Sequence, residues 1–112
     1  MRKRLYMRTV LNKESQMSSS QAHVSTPNAE RYLKQLCSHW GHKFAVDVEP
    51  GHGRIEFGEG RNCELWASHG HLDVEVRATE DALPRLQDVV AEHLNRFAHR
   101  EGELAFDWHP AG

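Results

Sequence analysis

The stretch from Tyr32 to Phe57 constrains the fold of this chain more than any other part of the sequence. Apolar residues first recur at helical spacing, and Gly41 then predicts a left-handed C-cap at the end of that helix. Two segments follow in which apolar and polar residues alternate, and the sequence Pro-Gly-His-Gly at 50–53 separates them. The pattern predicts a helix followed by a β-hairpin, but it does not specify a chemistry.

The same arguments predict the elements around this stretch. Residues 22–25 form a short strand candidate, and Thr26 followed by Pro27 is typical of a helix start. Four alternating segments between residues 44 and 76 predict a four-stranded antiparallel meander with one buried face. A second helix follows with Asp81 as its N-cap, because Pro84 lacks an amide hydrogen and must lie in the first turn.

The carboxyl-terminal part completes the predicted fold. Leu104, Phe106 and Trp108 alternate with polar residues and predict a final strand. The order is then strand, helix, four strands, helix, strand. It predicts an α+β fold in which the terminal strands extend the meander and two helices pack on one face of the sheet.

The chain has 112 residues, enough for one domain. Residues 1–21 carry five Lys and Arg, one Glu and a Ser-rich run, a composition that predicts a disordered tail. Residues 22–112 carry nine of the 14 Lys and Arg side chains and 15 of the 16 Asp and Glu side chains, a formal charge of −6. This acidic domain argues against a nucleic-acid partner, whose phosphates require cations.

Two cysteines, Cys37 and Cys63, fall on the predicted inward faces of their elements. Such cysteines are expected to be reduced core residues, which favours a cytoplasmic location. We expect no membrane span, since the sequence holds no apolar block of sufficient length.

Hairpin registers can be tested against the buried face. Pairing Val48 with Ile55, Phe57 with Cys63, and Leu65 with Val74 is compatible with the turn residues. On the outer face these registers place four carboxylates in one row across the four strands: Asp47, Glu56, Glu64 and Glu75.

Like charges directly opposite each other destabilise a sheet, so the predicted row needs an explanation. One interpretation is a solvated face in which Arg54, Arg61 and Arg77 compensate diagonally. The other is a binding site for a hard cation, since carboxylate oxygens suit such ions, or for a basic partner. Trp66 falls on the same face and is a candidate ligand or interface anchor.

The histidines form two further candidate groups for a transition metal. His52, His69 and His71 lie in or beside two turns at one edge of the meander, while His39 and His42 follow each other at the end of the first helix. Neither spacing matches a known pattern of metal ligands. The alternative is that both groups are ordinary loop and surface histidines.

The sequence gives little support to catalysis. It contains no GxSxG, P-loop or HExxH motif, and both cysteines lack an electropositive setting. We therefore expect a protein without enzymatic activity.

Three blocks of the sequence resemble a known family: residues 31–44, residues 52–58 and residues 86–97. The chain resembles the bacterial domain of unknown function 2218 family over residues 22 to about 109. The resemblance implies no catalytic residues. It implies a link to iron handling, because some members are fused to, or encoded beside, siderophore-interacting ferric reductases. The element order is also similar to that of TATA-binding-protein-like folds, an analogy at the level of the fold.

Three functional hypotheses follow. The first is a small non-enzymatic binding or accessory protein in iron or siderophore metabolism. Its partner would be a siderophore-interacting reductase or a small ligand, and its candidate cofactor is a metal cation. The second is a nucleic-acid-binding module on the sheet. The third is a structural module that forms a homodimer around Trp66.

Overall fold

The computed structural model describes residues 16–111, so residues 1–15 of the tail predicted for residues 1–21 lie outside the described residues. The elements, in chain order, are β1 (Met17–Ser25), α1 (Ala29–Trp40), β2 (Ala45–Glu49), β3 (His52–Gly58), β4 (Arg61–Ser68), β5 (His71–Thr79), α2 (Leu83–Phe97) and β6 (His109–Pro110). The predicted α+β class and element order are confirmed. Within residues 16–111, no helix is long and apolar enough to cross a membrane.

All six strands form one antiparallel sheet in the order β2-β3-β4-β5-β1-β6. The amino-terminal strand therefore pairs with the last strand of the meander along its whole length, from Met17 opposite Thr79 to Ser25 opposite His71. Residues 17–21, which the sequence assigned to the tail, belong to this strand. The final strand is shorter than expected, since Leu104, Phe106 and Trp108 precede it in irregular backbone.

The core lies between the helices and one face of the sheet. Alternate residues of β3, β4 and β5 point to this face, and Ile55, Leu65 and Val74 are fully buried there. Both helices contribute an apolar stripe, which explains why each packs with one side on the sheet: Tyr32, Leu33, Leu36, Cys37 and Trp40 from α1, and Val90 and Leu94 from α2. Cys37 and Cys63 are buried and unpaired, as predicted.

The helix ends differ from the sequence prediction in detail. Asn28, not Thr26, is the N-cap of α1, and the Thr26 hydroxyl instead accepts a hydrogen bond from the Asn28 amide at 3.1 Å. Gly41 has φ −64°, so the helix ends without a left-handed residue. Ala82, not Asp81, precedes α2, although Pro84 does lie in its first turn.

Two of the three predicted hairpin registers are wrong by two residues. Leu65 is paired with Val74, as predicted, but Ile55 is paired with Val46 and with Cys63. Glu49 faces His52, which places Pro50 and Gly51 in the turn. A shift of two residues leaves every side chain on its own face, so the apolar pattern cannot distinguish the two registers.

A polar cluster fastens the segment after α2 to the start of α1. One carboxylate oxygen of Glu101 accepts hydrogen bonds from the Tyr32 hydroxyl at 2.6 Å, the Thr26 hydroxyl at 2.9 Å and the Asn28 side-chain Nδ2 at 3.0 Å. These bonds lower the pKa of Glu101, the one from Tyr32 contributing most. Burial and the Glu101 carboxylate together raise the pKa of Tyr32.

Candidate binding face

The sheet face opposite the helices carries polar and charged side chains from neighbouring strands, and we call it the open face. Its carboxylates come from four strands: Asp47, Glu49, Glu56, Glu64, Asp73 and Glu75. Two guanidiniums, those of Arg54 and Arg77, share this face. Six carboxylates against two guanidiniums make the open face acidic, as the sequence indicated.

The predicted row of four carboxylates does not form. Because of the register shift, Arg54 takes the place expected for Glu56, opposite Asp47 on one side and Glu64 on the other. Arg54 Nε donates to Glu56 Oε2 at 2.6 Å, and Nη1 donates to Glu64 Oε1 at 3.1 Å. The bond to Glu56 is the main reason why the pKa of Arg54 is raised. Of the predicted row, only Glu64 and Glu75 stand directly opposite each other as like charges.

Trp66 lies on β4, on the open face, and is 38% exposed. It stands opposite His52 on β3 and Asp73 on β5. The His52 ring lies 5.7 Å from the indole, centroid to centroid, and its Nε2 hydrogen bonds to Glu64 Oε2 at 2.6 Å. One side of the tryptophan is therefore bordered by a histidine that a carboxylate orients.

A second histidine–carboxylate pair borders the other side of Trp66. His23 on β1 hydrogen bonds to Asp73 through Nδ1, and its ring packs 4.3 Å from that of His71. A groove of about 430 Å³ opens here, lined mainly by Gln21, His23, Trp66, Asp73, Glu75 and His109. The open face thus combines one exposed aromatic ring with flanking donors and acceptors.

Sequence reasoning missed His23 and His109, because it predicted that terminal strands extend the sheet but not where in the sheet they lie. The alternation of buried Ala22, exposed His23 and buried Val24 was the available signal for His23. The pairing of Gln21 with His109 on the short strand β6 depends on long-range contacts that no local pattern shows.

The predicted histidine groups are separated in the structure. His52 binds Glu64, His71 contacts His23, and His69 lies exposed in the β4–β5 turn. Across residues 16–111, no three His, Cys, Asp or Glu side chains come together in a group that could hold a metal ion.

The helix-end histidines have a different environment from the one expected. The ring of His39 packs 4.9 Å from His93 on α2, while His42 lies exposed beyond the end of α1. Burial, and secondarily the charge of His93, lowers the pKa of His39. This pair therefore belongs to the contact between the helices.

The cysteines lie on the opposite side of the sheet from the open face. Burial raises the pKa of both Cys37 and Cys63, which keeps the thiols protonated and unreactive at neutral pH.

Comparisons with known proteins agree with this picture of a small α+β domain. A family model described as an uncharacterized protein conserved in bacteria (DUF2218) matches residues 21–109. The structure is similar to the NMR structure of PA4090 from Pseudomonas aeruginosa, with a TM-score of 0.71 and 44% sequence identity, covering 84% of this chain and 97% of that one. No curated protein is similar enough to the chain to match it. The family model spans most of the sequence, and the chain therefore belongs to the bacterial DUF2218 family.

Proposed function

We propose that this protein is a small non-enzymatic binding or accessory module of the cytoplasm, acting in iron or siderophore metabolism through ligand binding on the open face. The observation that carries the proposal is Trp66, exposed between the His52–Glu64 and His23–Asp73 pairs beside a groove of about 430 Å³. Binding sites commonly combine an aromatic surface with a few oriented polar groups of this kind.

The charges of the open face favour a ligand with a basic group over a bare cation. Glu56 and Glu64 are already paired with Arg54, so a metal ion would have to displace the guanidinium. Asp73 and Glu75, which line the groove, lie close to the indole of Trp66. An ammonium or guanidinium group there would gain both a carboxylate and a cation–π contact.

The absence of enzymatic activity is part of the proposal. Within residues 16–111 the rings of His23 and His52 hydrogen bond to carboxylates and to no hydroxyl or thiol, so neither activates a nucleophile. The link to iron rests on the resemblance to a family in which some members accompany siderophore-interacting ferric reductases. A ferric siderophore with a basic group, or the reductase itself, would suit the acidic open face.

An NMR titration with the gallium complex of desferrioxamine B tests the proposal. This probe is a diamagnetic analogue of a ferric siderophore and carries a free ammonium group. We expect saturable shifts at the Trp66 indole and along β1 and β5, strong weakening by Trp66→Ala, and little change with the control Val48→Ala. Val48 is also exposed, but it lies on the edge strand β2. Absence of saturable shifts on the open face contradicts the siderophore proposal.

Two further measurements address the other hypotheses. The acidity of the open face argues against a nucleic-acid-binding module. Binding to duplex DNA that weakens steeply with salt would nevertheless favour that hypothesis. Sedimentation at several concentrations would reveal a homodimer, and a dimer that Trp66→Ala dissociates would assign the open face to self-association. Ca²⁺ or Mn²⁺ raising the melting temperature of the wild type would restore the bare-cation interpretation.

A further inference from the structure

A second cavity, of about 350 Å³, lies on the helix-covered side of the sheet, where α1 ends and α2 begins. Its walls are mainly apolar and include Trp40, Phe44, Phe57 and Leu86. The rings of Trp40 and Phe44 meet Phe57 edge-on, with centroids 5.1 and 5.0 Å apart. Such aromatic walls favour a flat apolar occupant, because ring edges and faces pack well against another ring.

Three cations, Lys43, Arg61 and Arg85, also line this cavity, and no carboxylate of the described residues lines it. Within residues 16–111, none of the three lies within ion-pair distance of an Asp or Glu side chain. This is an exception in a domain whose net charge is negative. The cavity thus offers an apolar floor and positive charge at its rim.

Local structure holds the guanidinium of Arg61 and the backbone of Lys43 in place before any ligand binds. Arg61 donates through Nε to the carbonyl of Gly58 and through Nη2 to that of Phe57, each at 3.2 Å. Three of its five N–H groups remain available. The amides of Lys43 and Phe44 both donate to the Trp40 carbonyl, which fixes the start of the Lys43 side chain beside the cavity.

We propose that this cavity binds a small aromatic carboxylate, with the ring against Trp40 and Phe57 and the carboxylate facing Lys43, Arg61 and Arg85. Its volume is at the small end of the range for ligand sites, roughly 300–1,000 Å³, which suits a molecule of one or two rings. The amino-terminal segment of the chain is a poorer candidate occupant, because its basic residues do not complement the positive rim of the cavity. The site is separate from the open face and does not depend on the function proposed there.

The test is an NMR titration of the full ¹⁵N-labelled chain with 2-naphthoate, and in parallel with the neutral analogue 2-naphthalenemethanol. We expect saturable shifts at the Trp40 indole and at the amides of Phe44, Phe57 and Leu86. The affinity for naphthoate should exceed that for the alcohol by about tenfold and should fall with added salt, since the cations are near the surface.

Substitutions separate a specific contribution of the cations from nonspecific attraction. Lys43→Gln and Arg85→Gln should each weaken naphthoate binding about threefold without changing binding of the alcohol. Both residues are exposed, and the spectrum of each variant reports that it is folded. The control Arg100→Gln removes an exposed arginine that does not line the cavity and should leave the affinity unchanged.

Several outcomes would overturn the proposal: no saturation by naphthoate, equal affinity for the alcohol, or equal weakening by Arg100→Gln. Shifts of the cavity residues that depend on protein concentration alone would assign the surface to a second copy of the chain instead.

Discussion

Glu101 is the residue on which two distant segments of the chain depend. Replacing it with Gln removes the charge from an oxygen that accepts three hydrogen bonds, from Tyr32, Thr26 and Asn28. We expect Glu101→Gln to lower the free energy of unfolding by about 1 kcal/mol, which is less than the usual effect of a bond to a charged group because Glu101 is exposed to solvent. Urea unfolding measures the change, and Glu103→Gln, an exposed neighbour, is the control.

The effect of Glu101→Gln should depend on pH. Because the folded-state pKa of Glu101 lies below its ordinary value of 4.5, the folded protein binds this proton less tightly than the unfolded chain does. The stabilising contribution is therefore fully present above that value and is lost as the pH falls through the lowered pKa. Unfolding curves for the wild type and the variant should converge in that acidic range. If the difference in unfolding free energy between the wild type and the variant were the same at all pH values, the charge of Glu101 would make no contribution to stability.

Gly53 is needed for close packing rather than for a special backbone angle. A Cβ atom at this buried position would lie 2.6 Å from Cys37 Sγ and 3.2 Å from Leu33 Cδ2. We expect Gly53→Ala to cost about 1–3 kcal/mol through overpacking. The double variant with Cys37→Ala should cost at least about 1 kcal/mol less than the sum of the single changes. Strict additivity in thermal or urea unfolding would contradict this contact.

At the scale of the elements, Arg54 links β3 to β4 across the open face. Arg54→Met leaves Glu56 and Glu64 without their shared cation and should lower stability by about 1 kcal/mol. Arg77→Met is the control, since Arg77 pairs with no carboxylate in residues 16–111. Thermal unfolding in low salt distinguishes the two variants.

For the like-charge pair between β4 and β5, removal of one charge is expected to raise the stability rather than lower it. Glu75→Gln removes a carboxylate directly opposite Glu64 and should raise stability by about 0.5 kcal/mol. The gain should shrink in high salt, because the repulsion is screened there. By contrast, the double change Glu56→Gln with Glu64→Gln should now destabilise the protein, whereas the row of four carboxylates predicted stabilisation. A more stable double variant would favour the register predicted from the sequence.

The sequence predicted the elements well because periodicity reports local geometry. The stripe from Tyr32 to Trp40 and the alternation through β3, β4 and β5 each required only one buried face. The registers failed because both alternatives bury the same side chains. The better signal was Pro50-Gly51, since Pro followed by Gly at positive φ is typical of the centre of a turn, and Gly51 has φ +81°.

The candidate site was less predictable than the fold, because its geometry depends on that register and on the terminal strands. Trp66 beside Asp73 followed from the one correct hairpin. The bonds of Arg54 to Glu56 and Glu64 were not predicted, because they depend on the two hairpins whose predicted registers were wrong. The β3–β4 turn was also difficult to predict. Glu59 and Gly60 have φ +57° and +80° there, whereas two-residue turns with positive φ usually begin with Asn, Asp or Gly rather than Glu.

For the molecule as a whole, the true beginning of the domain can be tested by truncation. Strand β1 pairs with β5 from Met17 onward, so a chain that starts at Ala22 loses five paired residues. We expect it to be less stable than a chain that starts at Gln16 by roughly 2–4 kcal/mol, given about 1 kcal/mol for each hydrogen bond lost. Comparison of their melting temperatures measures this. Equal values would restore the domain boundary predicted from the sequence.

The position of β1 between β5 and β6 also bears on the order in which the chain can fold. Met17 meets a partner that is 62 positions later in the chain, whereas the hairpins of the meander close over two-residue turns. Closing so long a loop costs more entropy than closing a hairpin. Pairing of β1 with β5 is therefore expected to slow folding if it has to form before the rest of the sheet. During synthesis, β1 leaves the ribosome long before β5 exists, and its Ala22 and Val24 side chains remain in water until then. Folding of the domain is thus expected to be a late event, completed when β5 and α2 are available and β6 can add to the edge that β1 provides.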